Sequence, residues 1–172
     1  MTEADIPMVH AWLQRPHVVK GWGGEDERPT LKEAYEWYLP WIRAEKKVAP
    51  CIALLNGEAI GYAQSYVAMG SGDGYWEEET DPGVHGIDQF LADPARFGKG
   101  LGTLLVRALV ARLFADPSVT KIQTDPDPMN LRAIRCYEKA GFRRVGNIVT
   151  PDGPSLYMVQ ERPARKPSQS AD

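Results

Sequence analysis

Arg96-Phe97-Gly98-Lys99-Gly100-Leu101-Gly102-Thr103 is the stretch on which the reading of this chain turns. An apolar run, Val84 to Leu91, comes before it. Leu101, Leu105, Leu109 and Leu113 follow at helical spacing, predicting a helix to about residue 115. The stretch is therefore a glycine-rich turn between a strand and a helix. Glycine lets the backbone approach a ligand closely, and the first turn of a helix carries N–H groups without helical partners. That combination suits a pyrophosphate. The turn is not a Walker A loop, because no Gly-Lys-Ser/Thr closes it. It is not the dinucleotide fingerprint either, because Thr103 holds the third glycine position. Glycine turns without any ligand have the same composition, so the turn alone leaves both readings open.

Outward from the turn, strands and helices interleave. Thr2 with Asp5 and Thr30 with Glu33 form two capping boxes. The first opens a helix through Ile6, Val9, Trp12 and Leu13 up to Pro16. The second opens a helix through Tyr38 and Leu39 that Pro40 is expected to kink or divide. Residues 17–29 read as a loop. Pro50 to Leu55 and Ala59 to Val67 are strands joined by an Asn56-Gly57 hairpin turn. Residues 69–82 form a long polar loop, of a length that usually has a function. Val119 to Thr124 is a short strand stopped by Asp125-Pro126-Asp127-Pro128. Asn130 to Lys139 is a helix ended by Ala140-Gly141. Arg144 to Val149 and Ser155 to Gln160 form a closing strand pair. The pattern predicts an α/β (α+β) class with a single mixed sheet. One domain spans residues 1–162, and 163–172 form a flexible tail.

The 172 residues are 43% hydrophobic and 25% charged, enough for one packed core. No run of 18 apolar residues occurs, so no transmembrane helix is expected. Cys51 and Cys136 are far apart and unlike in setting, which argues against a disulfide framework and for a reducing cytoplasm. The net charge of −3 hides an asymmetry. Residues 1–95 carry 16 acidic and 7 basic side chains, whereas residues 96–172 carry 7 acidic and 13 basic. A cationic partner at the first half and an anionic one at the second would account for this, as would an ordinary solvated surface. No dense Lys/Arg stripe suggests nucleic acid.

Asn130-Leu131-Arg132-Ala133-Ile134-Arg135-Cys136-Tyr137-Glu138-Lys139-Ala140-Gly141-Phe142 fits the spacing Asn-x-x-Ala-x-x-x-Tyr-x-x-x-Gly-Phe. Gly100-Leu101-Gly102 fits the close of Gln/Arg-x-x-Gly-x-Gly/Ala. With these two signatures the chain resembles the GCN5-related N-acetyltransferase (GNAT) superfamily. Phe97 departs from the pattern where a polar residue is usual, and Arg96 is one place early. Trp22-Gly23-Gly24, Gly61 to Tyr66, Gly70 to Trp76, Gly86-Ile87-Asp88-Gln89 and Thr124-Asp125-Pro126 look like the aminoglycoside 6′-N-acetyltransferases. The likeness runs from Met1 to about Gln160. It implies the GNAT fold, a mostly antiparallel sheet flanked by helices, with the usual first strand missing and an edge exposed.

The resemblance also implies the chemistry. Acetyl-CoA is the expected co-substrate, with no metal, in a bacterial cytoplasmic enzyme that is a monomer or homodimer and does not bind membrane or nucleic acid. Gly98, Lys99, Gly100, Leu101, Gly102 and Thr103 are expected at its pyrophosphate. Gln89, Phe90 and Leu91, with Asn130 and Ala133, are expected along the pantetheine arm, the strand supplying an oxyanion N–H. Asn130 equally fits a helix cap. Asp88, a charged residue in an apolar strand, is the expected general base and a ligand of the reactive amine, and Tyr137 the expected acid for the leaving thiolate. Asp73, Asp125 and Asp152 are expected to bind the drug's ammonium groups, with Trp22, Tyr38, Tyr75 and Trp76 over its sugar faces. Other readings are an acetyltransferase for a polyamine or protein N-terminus, and a non-catalytic module that binds CoA or drug.

Overall fold

The computed structural model describes residues 1–22, 28–72 and 74–163. Six strands form one mixed sheet in the order β1-β2-β3-β4-β6-β5. They are β1 (Val48–Leu55), β2 (Glu58–Val67), β3 (Val84–Leu91), β4 (Lys121–Thr124), β5 (Arg143–Thr150) and β6 (Gly153–Glu161). Every neighbouring pair is antiparallel except β3 and β4. The helices are α1 (Ile6–Leu13), α2 (Pro16–Val19), α3 (Leu31–Ile42), α4 (Leu101–Phe114) and α5 (Leu131–Ala140).

The capping boxes open the helical regions as the sequence predicts. The Asp5 carboxylate accepts from the Thr2 N–H at 2.7 Å, and a single 3₁₀ turn leads from there into α1. Thr30 Oγ1 accepts from the Glu33 N–H at 3.3 Å, while Glu33 accepts from the Thr30 N–H at 2.7 Å. Two local expectations are corrected. Residues 17–29 are not all loop, since Pro16 starts the short helix α2, as proline at a first helical position can. Pro40 does not divide α3. It sits in the last turn, and the Arg43 N–H still reaches Leu39 O at 3.0 Å.

Strand alternation sorts the core into two layers. Ala63, Ile87, Ile122, Leu156 and Met158 face α4 and α5, meeting Val106, Leu109, Ile134 and Tyr137. Tyr62 and Phe90 face the other way, against Ile6, Val9, Trp12, Ala34 and Tyr38 of α1 and α3. Beyond Tyr62 and Phe90 this second face is sheathed by the loop after β2. Tyr66 lies directly over Gly86, where any Cβ would fall 2.1 Å from its ring. Its hydroxyl accepts from Trp76 Nε1 at 3.0 Å, pinning the loop to the sheet.

β3 and β4 pair only from Val84↔Lys121 to Gly86↔Gln123. β3 runs on for five residues, so the sheet parts between its two halves. Strand β1 is an outer strand of the sheet, as expected. Among the described residues no helix is long and apolar enough to cross a membrane.

Candidate active site

The parting of β3 from β4 organises the site. Ala92 N–H bonds Ile60 O and Val84 O accepts from Ala68 N–H, so even-numbered residues of β3 turn their peptide groups toward β2. By alternation the N–H and C=O of Gln89 point away from β2, beyond the last β3–β4 pair. They offer an extended ligand a strand-like edge. Leu91 C=O, on the same side, is engaged by His17 Nε2 at 3.1 Å. The Phe90 side chain is packed in the α1/α3 layer, leaving only its backbone for a ligand.

Asp88 sits on this strand, on the same face as Phe90. Gln64, its partner across β2, donates Nε2–H to Asp88 Oδ2 at 2.9 Å. The Gln64 amide is itself oriented, because Tyr62 donates its hydroxyl to Gln64 Oε1 at 2.8 Å. Burial raises the Asp88 carboxyl to a pKa of about 6, with the Gln64 hydrogen bond opposing the shift and the Asp152 charge adding to it. Asp125 follows β4 on the same face. Burial, then the charges of Asp88 and Asp152, raise it to about 7. Asp152 is exposed in the β5–β6 turn, where its carboxylate hydrogen-bonds Tyr75. Three of the four expected drug carboxylates thus share one electrostatic field. The fourth, Asp73, lies outside the described residues.

Tyr137 approaches from the opposite layer. Asn130 and Tyr137 are two turns apart on α5, and the Tyr137 ring is packed edge-on to Phe142 at 5.4 Å. Burial raises its pKa, opposed by a hydrogen bond with Thr124 and reinforced by the Asp88 charge, so the hydroxyl keeps its proton at neutral pH. Asn130 caps α5, its Oδ1 accepting from the Ala133 N–H at 3.1 Å, which leaves its amide N–H₂ for a ligand.

The glycine turn is built as its composition implies. Gly98 and Gly100 have φ of +72° and +79°, which L side chains rarely adopt. Gly100 is the N-cap of α4 and supplies no side-chain cap, so the first amides of α4, at Leu101, Gly102 and Thr103, are unclaimed by a capping side chain. A Cβ on Gly102 would lie 3.3 Å from Cys136 Sγ, which keeps α4 close to α5. Lys99 is exposed. Arg96 is paired with Glu58 and points away from this task.

The aromatic expectations divide. Trp76 and Tyr75 border a cavity of about 310 Å³ with Gln123, Thr150 and Tyr157. Asp88 does not line that cavity. Trp22 is partly exposed at the edge of the α1/α3 layer, edge-on to Tyr62 and Phe90 at 5.6 and 5.1 Å. Tyr38 is a correction. It is 2% exposed and packed edge-on against Trp41 and Tyr62, so its ring presents no face to a sugar. Glu79 is not a free surface charge, since it pairs with Lys121 at 3.1 Å. Gln64 and Tyr66 are the site residues the sequence reading misses, because their places follow only from the β2–β3 register. Among the described residues no group of three His, Cys, Asp or Glu is placed to hold a metal.

A sheet that parts beside a strand-borne carboxylate, next to an open glycine turn, is the architecture of an acyl-CoA-dependent acetyltransferase. Residues 1–150 match the family model described as an acetyltransferase (GNAT) domain. The chain belongs to the GNAT acetyltransferases and, within them, to the aminoglycoside 6′-N-acetyltransferases. It is 66% identical over 170 residues to the aminoglycoside N(6′)-acetyltransferase type 1 of Klebsiella pneumoniae, covering 99% of this chain and 85% of that protein. Against the protein of the same name from Serratia marcescens it is 68% identical over 164 residues, 95% of this chain and 82% of that one. Among solved structures it resembles AAC(6′)-Ib in complex with coenzyme A and kanamycin. The TM-score is 0.88 at 66% identity, over 94% of this chain and 92% of that chain. AAC(6′)-Ib with ribostamycin and coenzyme A gives 0.91 at 65% identity, over 100% and 96%.

Proposed function

We propose that this chain transfers the acetyl group of acetyl-CoA to the 6′-amine of aminoglycoside antibiotics by direct attack in a ternary complex. The observation that carries the proposal is the convergence of Asp88, Asp125 and Asp152 on one sheet face, beside the parting of β3 and β4. A polycationic drug needs spaced carboxylates, and an acetyl thioester needs an open strand edge. The relatives' crystal complexes with kanamycin and ribostamycin support the same substrate class.

In this reading Asp88 binds the 6′-ammonium and accepts its proton. A carboxyl raised to about 6 is a better base than an ordinary aspartate, and remains ionised at pH 7. The neutral amine attacks the thioester carbonyl, and the Gln89 N–H meets the oxygen as it becomes negative. Such preorganised donors contribute about 3–4 kcal/mol in other acyl-transfer sites. The C–S bond then breaks as Tyr137 donates its proton to the departing sulfur. The surplus proton on the acylated nitrogen restores Tyr137, which leaves the amide, the CoA thiol and one proton on Asp88 for release to solvent. The turn at 98–103 holds the pyrophosphate, and the Asn130 amide N–H₂ holds the pantetheine arm.

The test is a thiol-release assay with acetyl-CoA and kanamycin, amikacin, gentamicin, spermine or an amino-terminal peptide as acceptor. Turnover is expected with drugs that carry a 6′-amine. Turnover with spermine or peptide alone, or CoA binding without turnover, would replace this reading with another amine substrate or a non-catalytic module.

A further inference from the structure

Phe97 takes the place of the polar residue in the glycine-turn motif, and its surroundings assign it a different task. The ring lies between two side chains from different elements. His17 of α2 meets it edge-on at 5.4 Å, and the guanidinium carbon of Arg132, in the first turn of α5, lies 3.8 Å from its centroid. Arg96, the adjacent basic residue, is neutralised by Glu58. Arg107 donates to the Lys139 carbonyl and Arg144 to Glu138. Arg132 contrasts with all three. Among the described residues its only contact partner of this kind is the Phe97 ring, with no carboxylate or carbonyl accepting from it.

A guanidinium resting on an aromatic face uses its π surface and keeps its N–H edge free. That edge is a planar fork of donors matched to two phosphate oxygens. Phe97 immediately precedes Gly98, so the ring that carries this fork belongs to the segment leading into the uncapped amides of α4. We propose that Arg132 is a phosphate ligand of acetyl-CoA and that Phe97 is the residue that positions it. The proposal rests on the reading of residues 98–103 as the pyrophosphate turn. The motif's missing polar side chain is thereby replaced by a cation delivered from α5. The phosphate met is either the diphosphate or the 3′-phosphate of the nucleotide end, which share the same recognition chemistry.

Calorimetric titration of the full chain with CoA and with dephospho-CoA, which lacks the 3′-phosphate, tests this. Arg132→Ala is expected to weaken CoA binding about tenfold, the lower end for an exposed charge-assisted bond. Arg132→Lys is expected to recover part of the loss. Phe97→Leu is expected to weaken CoA about threefold, and Phe97→Tyr to match the wild type. Arg143→Ala, which removes an exposed cation paired with Glu161, controls for net charge and should leave the CoA Kd within twofold. A penalty that persists with dephospho-CoA assigns the contact to the diphosphate, and one that vanishes assigns it to the 3′-phosphate. Lys99→Glu separates the two readings. If it weakens CoA while Arg132→Ala does not, the turn stands and Arg132 is no ligand. If neither variant weakens CoA, the turn reading falls and takes this proposal with it.

Discussion

Asp88→Asn removes charge and basicity from the centre of the site with little disturbance to its geometry. The new amide oxygen can still accept from Gln64 Nε2, which now sits 2.9 Å from Asp88 Oδ2, and Tyr62 continues to orient Gln64. What is lost is the proton acceptor and the charge that faces the ammonium group. General-base catalysis is worth about 10²–10⁴-fold, or about 2.7–5.5 kcal/mol of barrier, so kcat should fall by that factor with kanamycin at pH 7. The CoA Kd, set on the other side of the sheet, should stay within twofold. The pH profile gives a second reading. With a carboxyl near 6, wild-type kcat/KM should rise through about pH 6 as the base ionises. That limb should vanish in the Asn variant. Gln64→Leu should move it to higher pH, because the Gln64 N–H stabilises the charged form. Stability should run the opposite way. The folded state holds the Asp88 proton above its ordinary value of 3.8, so folded protein binds more protons and stability falls as pH rises toward 6. Asp88→Asn should therefore melt a few degrees above wild type at pH 7.5, and at the same temperature below pH 4. A variant with kcat within fivefold of wild type and an unchanged acid limb would refute Asp88 as the base.

Tyr137→Phe deletes one hydroxyl from a packed ring. It should keep the Kd of both substrates within threefold while slowing CoA release in a pre-steady-state thiol assay about 10–100-fold. An unchanged rate and pH profile would leave the ring a packing role only. Asp125→Asn and Asp152→Asn should each raise the drug KM about 10- to 150-fold, and leave the acetyl-CoA KM unchanged, if each carboxylate meets an ammonium group. With Asp125 raised to about 7, drug binding should also weaken as pH falls through that value. Matched drift of both KM values with a lower Tm would mean that these carboxylates serve the fold.

The legible parts of the molecule are those set by local chemistry. The capping boxes, the Asn56-Gly57 hairpin and the Gly141 stop each need only a few consecutive residues, and each falls where the sequence puts it. The glycine turn is legible for the same reason. What the chain conceals is register. Gln64 reads as one polar residue in a strand until β2 is paired with β3, because a shift of one residue would turn it to the other face. Tyr66 is hidden likewise, since its position over Gly86 is a tertiary contact. Tyr38 misleads in the other direction. Its hydroxyl suggests a surface role, but a hydrogen bond with Tyr62 satisfies that group inside the core. Phe97 breaks the motif locally, and only the fold supplies Arg132 beside it.

The parting of the sheet explains why two substrates of opposite charge can react in one small domain. Asp88 lies on the face that carries α1 and α3, and Tyr137 lies in the layer of α4 and α5. In a fully paired sheet the two would be divided by a continuous hydrogen-bonded wall. Pairing between β3 and β4 stops at Gly86↔Gln123, two residues before Asp88, so the wall ends where the proposed base begins. The acidic groups Asp88, Asp125 and Asp152 collect on one side, and the glycine turn with Lys99 and Arg132 opens on the other. In the proposed ternary complex the cationic drug would be drawn to the acidic side and the anionic nucleotide to the basic side, so that only the amine and the thioester would need to meet at the gap. The charge asymmetry between the two halves of the sequence matches this division only in part: the first half contributes the strand that bears Asp88, and the second half the glycine turn with Lys99 and the helix that carries Arg132. Asp125 and Asp152 come from the second half and reach the Asp88 face through the two short connections that leave β4 and β5. In the proposed complex the basic half would therefore serve the nucleotide and still place two carboxylates toward the drug.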